Sequence, residues 1–302
     1  MIKPTVVLGQ PAMWLRAPDG AQVTVLLHGG QVVSWIPAGD QERLYLSPLA
    51  VAGGNNAVPG EGHAVPGVGH TVPGVGHTVR GGIPVVFPQF AKRGPLPQHG
   101  LARDRAWQWV EGVDRGGVMI GVLRLTDDET TRKLWPHAFE AELSFSFSGL
   151  QLDVELAISN TGTAPFDFTA ALHTYLLVDD VRRAKLGGLY GVRYEDKVSG
   201  VEQHQEMDPF SFAGEIDRIY FDAHAGRTAP LNLATAMGRT AISSEGFDDV
   251  VVWNPGPAKA AAMADLPDDD WLRFLCVEAA TIGAPVTLAP GQEWVARQGF
   301  EV

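Results

Sequence analysis

The chain has 302 residues, 45% of them hydrophobic and 19% charged, the proportions of a folded globular protein and not of a disordered or fibrous one. Its formal net charge of -12 argues against binding to phosphate backbones or anionic membrane surfaces, so neither nucleic acid nor membrane is an expected partner. The start, MIKPTVVLGQPAMWLRAPDG, has no basic segment followed by an apolar run, no stretch of about 18 apolar residues occurs, and a single cysteine, Cys276, forms no internal disulfide; a cytoplasmic location is expected.

Along the chain the apolar residues recur with period two more often than 3.6. AQVTVLLHGGQVVSWI (21–36) predicts two short strands around Gly29 and Gly30. Residues 53–79 are of low complexity, with VPGEGH, VPGVGH and VPGVGH placing His63, His70 and His77 seven residues apart. Proline and glycine in every copy forbid a helix that would stack the imidazoles, so a turn-rich surface loop is expected. LSFSFS (143–148) and LDVELAIS (152–159) alternate apolar and mostly polar residues and read as a hairpin through Gly149. FTAALHTYLLV (168–178), DDVVVWNP and LRFLCVEAA read as more apolar, buried strands. No long amphipathic helix is evident. With 35 Gly and 21 Pro between many short strands, the expected class is all-β, a sandwich or barrel. No linker divides it, so residues 1–302 read as one domain interrupted at about 58–78.

Four stretches set polar residues into apolar or glycine-rich surroundings. In TVRGGIPVVFPQF (78–90), Arg80 offers a fork for phosphate or carboxylate, and the two glycines after it would let a ligand approach the backbone. An ordinary surface arginine before a turn fits the same letters. LPQHGLARDRAWQW (96–109) packs Gln98, His99, Arg103 and Arg105 ahead of two tryptophans, suited to a sugar phosphate or to a polar loop with a tryptophan anchor. In 168–178, period two puts His173 and Tyr175 on one face, where His173 alone reads as a satisfied core histidine. In RFLCVEAATIG (273–283), Glu278 sits in a run too apolar for a free carboxylate and requires a partner, a proton or a chemical role. Cys276 shares its face, but no motif marks it as a nucleophile.

Together RGGIPVVFPQF, QHGLAR followed by tryptophan, LHTYL and CVEAA occur in the order that resembles the hexose-6-phosphate mutarotases, also called glucose-6-phosphate 1-epimerases. DDETTRKLWPHAFE, GEIDRIY, VVVWNP and LAPGQEW extend the likeness over nearly the whole chain. The resemblance implies a large antiparallel β-sandwich of the galactose mutarotase type with one open concave face. It implies that His173 and Glu278 are the catalytic pair and that His99 steadies the sugar ring oxygen. Arg80, Gln98, Arg103 and Asp217 match the family's substrate-binding positions, the arginines suited to a 6-phosphate and Asp217 to a hydroxyl. The implied activity is interconversion of the α and β anomers of a hexose 6-phosphate by proton transfer, a scheme that needs no metal, nucleotide or redox cofactor.

The family pattern lacks the three VPGxGH copies, which makes the repeat a surface insertion; a lid or a metal clip built from its three histidines are the other readings. Two alternatives to the phosphosugar enzyme remain at this level. One is an aldose 1-epimerase acting on free hexoses with the same His173 and Glu278. The other is a noncatalytic carbohydrate-binding protein of the same fold.

Overall fold

A computed structural model describes residues 1–50, 79–226 and 229–302, together with a backbone pairing of Val58–Pro59 with Val75–Gly76. Apart from that pairing, the VPGxGH repeat, including His63, His70 and His77, lies outside the described residues.

Antiparallel strands dominate, as the period-two pattern predicts. Phe139–Ser148 and Gln151–Asn160 pair residue for residue, and Gly149 turns the chain at φ +55°. Ala141, Leu143, Phe145 and Phe147 are buried on one face while the intervening Glu142, Ser144 and Ser146 are half-exposed on the other. This hairpin sits within a nine-stranded sheet that also contains Val118–Thr126 and Glu293–Glu301. A four-stranded sheet, Ile2–Val7 to Val32–Ile36, includes the two strands expected around Gly29 and Gly30.

The second large sheet has eight strands. Its centre runs from Ile216–Tyr220 through Asp249–Asn254 and Phe274–Leu288 to the paired segments Phe166–Leu172 and Tyr175–Leu177. The two large sheets face each other across one apolar cluster, where Phe87 meets Phe139 at 5.2 Å and Phe168 meets Trp294 at 5.3 Å between ring centroids. This is the packing of a β-sandwich. All of Asp249–Asn254 and the first nine residues of Phe274–Leu288 are buried, because both faces of this sheet are covered. Among the described residues no helix is long and apolar enough to cross a membrane.

One expected strand is broken. FTAALHTYLLV forms Phe166–Leu172 and Tyr175–Leu177, with His173 and Thr174 outside the regular ladder. The reason is local: Thr174 N–H turns back to Leu172 O at 3.0 Å instead of crossing to the neighbouring strand, while His173 N–H bonds to Pro84 O at 3.0 Å in line with the pairing of Ala171 with Val86 and Leu172 with Val85.

Candidate active site

Strand register assembles the site. Leu172 pairs with Ala279 and Tyr175 with Cys276, so the same register carried across the break sets His173 opposite Glu278. Glu278 in turn pairs with Val251, while Trp253 pairs with both Cys276 and Asp217. Because side chains alternate along a strand and directly opposed residues share a face, Asp217, Trp253, Glu278, His173 and Tyr175 all emerge on the face turned away from the inter-sheet core. A cavity of about 410 Å³ opens there, and the loop carrying Gln98, His99 and Arg103 together with Arg80 completes its wall. The seven residues that the resemblance assigns to the site therefore line one cavity, His173, Glu278, Arg80, Gln98, His99, Arg103 and Asp217, whereas Arg105 of the same stretch is not in its lining.

His173 Nδ1 lies 3.3 Å from Glu278 Oε1, with 12% of the histidine side chain and 1% of the glutamate side chain exposed. The approach lacks hydrogen-bond alignment, and neither His173 Nδ1 nor Glu278 Oε2 has a hydrogen-bond partner among the described residues. Burial pushes Glu278 well above the usual carboxylate range, and the nearby Asp217 adds to the shift. Burial likewise holds His173 well below the usual imidazole value, with His99, Arg103 and Arg80 opposing a further positive charge. Tyr175 stacks on the imidazole at 4.9 Å and Trp253 meets it edge-on at 5.9 Å, which fixes the ring plane.

His99 is held in the left-handed region at φ +68°. Its Nδ1 accepts the Ala91 backbone N–H at 3.4 Å, so in the neutral ring Nε2 carries the proton and is a donor. Burial lowers its pKa to about 3, assisted by Arg103 and Lys197, so the ring is neutral near pH 7.

Cations surround the cavity. Arg80 Nε is anchored by Asp265 Oδ1 at 2.9 Å and its Nη1 reaches the Tyr175 hydroxyl at 3.3 Å. Arg103 Nη2 donates to Gln98 O at 2.8 Å. Lys197 Nζ lies 3.4 Å from Asp217 Oδ2, and Lys259 Nζ lies 3.0 Å from Glu215 Oε1. Burial raises the Asp217 pKa against the pull of Lys197 and Lys259. Among the described residues no group of three His, Cys, Asp or Glu side chains is placed to hold a metal ion.

One sequence rationale is corrected. Gly81 and Gly82 do not open a path for a ligand: a Cβ at Gly81 would stand 2.3 Å from Tyr45 O, and one at Gly82 2.2 Å from Val32 O. They let the chain pass close to neighbouring backbone, at φ +124° and +59°. Of the two readings of the tryptophans after QHGLAR, the anchor is the one found: Trp107 is buried and donates from Nε1 to Ala102 O at 3.0 Å, while Trp109 packs against the core. The tryptophan of the cavity is Trp253. Lys197, Lys259 and Asp265 escape sequence reasoning because each lies in a turn or short helix with no pattern; VVVWNP, which leads into the segment carrying Lys259, is the one nearby signal.

Residues 11–301 match the model of the aldose 1-epimerase family. A protein from Cenchrus ciliaris named "putative glucose-6-phosphate 1-epimerase" is 33% identical over 300 residues, 94% of this chain and 82% of its own. One of the same name from Escherichia coli is 34% identical over 261 residues, 84% of this chain and 78% of its own. The crystal structure of a "putative mutarotase" from Salmonella typhimurium superposes with a TM-score of 0.81 at 27% identity, covering 99% of this chain and 92% of that one. With an all-β sandwich, a cavity built by strand register and a family match over nearly its full length, the chain belongs to the aldose 1-epimerase family of isomerases.

Proposed function

We propose that the protein interconverts the α and β anomers of a hexose 6-phosphate, with His173 and Glu278 transferring the protons. The observation that carries this reading is the 3.3 Å carboxyl–imidazole pair in a cavity ringed by Arg80, Arg103, Lys197 and Lys259, on a chain whose net charge is -12. Collecting cations at one cavity of an acidic protein suits an anionic substrate. The names of the relatives from Cenchrus ciliaris and Escherichia coli point to the same substrate class.

Anomer exchange requires two coupled proton movements. Glu278 as carboxylate takes the C1 hydroxyl proton while protonated His173 gives one to the ring oxygen. The bond between C1 and the ring oxygen breaks, leaving an open-chain aldehyde, a protonated Glu278 and a neutral His173. Rotation about C1–C2 and the reverse transfers close the other anomer. The pair holds one proton in total before and after each step, so no external acid or base is consumed. Each positioned group contributes about 10²- to 10⁴-fold.

Burial favours the uncharged arrangement, protonated Glu278 beside neutral His173. A phosphate dianion bound at Arg80 and Arg103 would offset two of the charges that depress His173, and so favour the imidazolium the ring-opening step needs. In this reading His99, neutral and with its proton on Nε2, donates to the ring oxygen, and Asp217 and Gln98 of the cavity wall bind sugar hydroxyls. The free-hexose reading leaves Arg80 and Arg103 without a substrate group to bind. The test is anomer exchange followed by polarimetry on glucose 6-phosphate, galactose 6-phosphate and the corresponding free hexoses. Enzyme-dependent exchange with higher kcat/KM for a phosphorylated sugar is expected; equal or higher kcat/KM for the free hexoses contradicts the proposal, as does binding without exchange.

A further inference from the structure

Directly behind the His173–Glu278 pair, the apolar layer between the sheets is interrupted by two buried polar side chains, Thr174 and Gln298. Gln298 lies on the inward face of Glu293–Glu301, in line with Ala296 and Phe300, and reaches across to the opposite sheet. Thr174 Oγ1 donates to Gln298 Oε1 at 2.6 Å, and Gln298 Nε2 donates to Val277 O at 3.0 Å. The assignment of the amide is forced, since a backbone carbonyl can only accept. Thr174 follows His173 in the chain and Val277 precedes Glu278, so one side chain grips the residue beside each member of the pair.

The break in the strand explains why such a grip exists. In a hydrogen-bonded antiparallel pair the two residues exchange two N–H···O bonds. Here Val277 N–H still reaches Thr174 O at 3.2 Å, but Thr174 N–H is diverted to Leu172 O in a three-residue turn centred on His173. The reciprocal bond is missing, and the Gln298 amide occupies the buried Val277 carbonyl in its place. Without that donor a buried carbonyl would be stranded and the turn at His173 would tend to relax into the regular ladder.

We propose that Thr174 and Gln298 are positioning residues that hold the turn at His173 and with it the approach of His173 to Glu278. The proposal rests on the reading of these two as the proton-transfer pair. The test uses near-isosteric replacements: Thr174→Val removes the hydroxyl and keeps the shape, Thr174→Ser keeps the hydroxyl and trims a methyl, and Gln298→Met keeps length without the amide. Values of kcat and KM for glucose 6-phosphate are measured per folded protein, beside Glu278→Gln. The expected result is a loss of about tenfold in kcat for Thr174→Val and Gln298→Met with KM within about twofold, and near-normal kcat for Thr174→Ser, because misplaced reacting groups lose rate before they lose binding. If either Thr174→Val or Gln298→Met folds and keeps the wild-type kcat while Glu278→Gln is inactive, the positioning role is overturned and the proton-transfer reading stands. A serine variant as impaired as the valine variant also overturns it, since packing would then be the cause. Full activity in Glu278→Gln would instead remove the proton-transfer reading on which the inference rests.

Discussion

The hairpin Phe139–Ser148 and Gln151–Asn160 and the strands that carry His173 and Glu278 are both antiparallel ladders, but they distribute polarity in opposite ways. In the hairpin every second side chain is buried and the others meet water, and none lines the cavity. Around Glu278 both faces are covered, and the polar residues are the exceptions within a buried run. A half-solvated sheet advertises itself by alternation, whereas a sheet covered on both sides loses that signal and marks its function by the charges it retains.

If this contrast is physical, the two regions should fail differently. Phe145 is buried against Gly121, where a Cβ would stand 2.3 Å from its ring. Phe145→Ala should therefore destabilise the fold by about 3–5 kcal/mol in a denaturant titration, while kcat per folded molecule stays unchanged. A large fall in kcat would show that the hairpin and the cavity are coupled.

pH should act on the cavity region through His99. His99 has its pKa lowered to about 3 from the ordinary 6.5, so it refuses a proton that the unfolded chain accepts. Its contribution to stability is complete above pH 6.5 and is lost as pH falls toward 3, on the order of a few kcal/mol across that range. His99→Gln should flatten that part of the stability profile measured by urea unfolding at several pH values; an unaltered slope would mean that the folded ring already carries a proton.

Within the cavity, the prediction is confined to chemistry. Glu278→Gln and His173→Asn should each lower anomer exchange by at least about a hundredfold, or about 2.7 kcal/mol, with little change in unfolding midpoint. Near-normal exchange in either variant would remove that residue from proton transfer.

Much of this was legible in the letters, for identifiable reasons. Alternation in LSFSFS and LDVELAIS gives the hairpin because one face is wet, and Glu278 stands out because a carboxylate is rare in so apolar a run. The meeting of His173, Asp217 and Glu278, however, follows from cross-strand register between distant segments, and Arg80 and His99 join them from loops; the resemblance to a known family supplied this and periodicity did not. Lys197 and Lys259 come from connections with no pattern at all. Gly81 and Gly82 were misread because a glycine pair looks the same whether a ligand or neighbouring backbone comes close. The break at His173 was hidden because apolar neighbours on both sides continue the strand pattern while the hydrogen bonds do not.

The central claim, that this cavity exchanges the anomers of a phosphorylated hexose, is tested most directly by comparing glucose 6-phosphate with glucose in the wild type and in Arg80→Ala. Arg80 is held by Asp265 and Tyr175 at the cavity wall, so its loss removes a guanidinium already oriented for an anionic substrate group. The account predicts a KM for glucose 6-phosphate raised by about tenfold or more, consistent with about 1.5–3 kcal/mol for a charge-assisted contact, and a nearly unchanged kcat/KM for glucose. An equal loss for both sugars, or none for either, would contradict it.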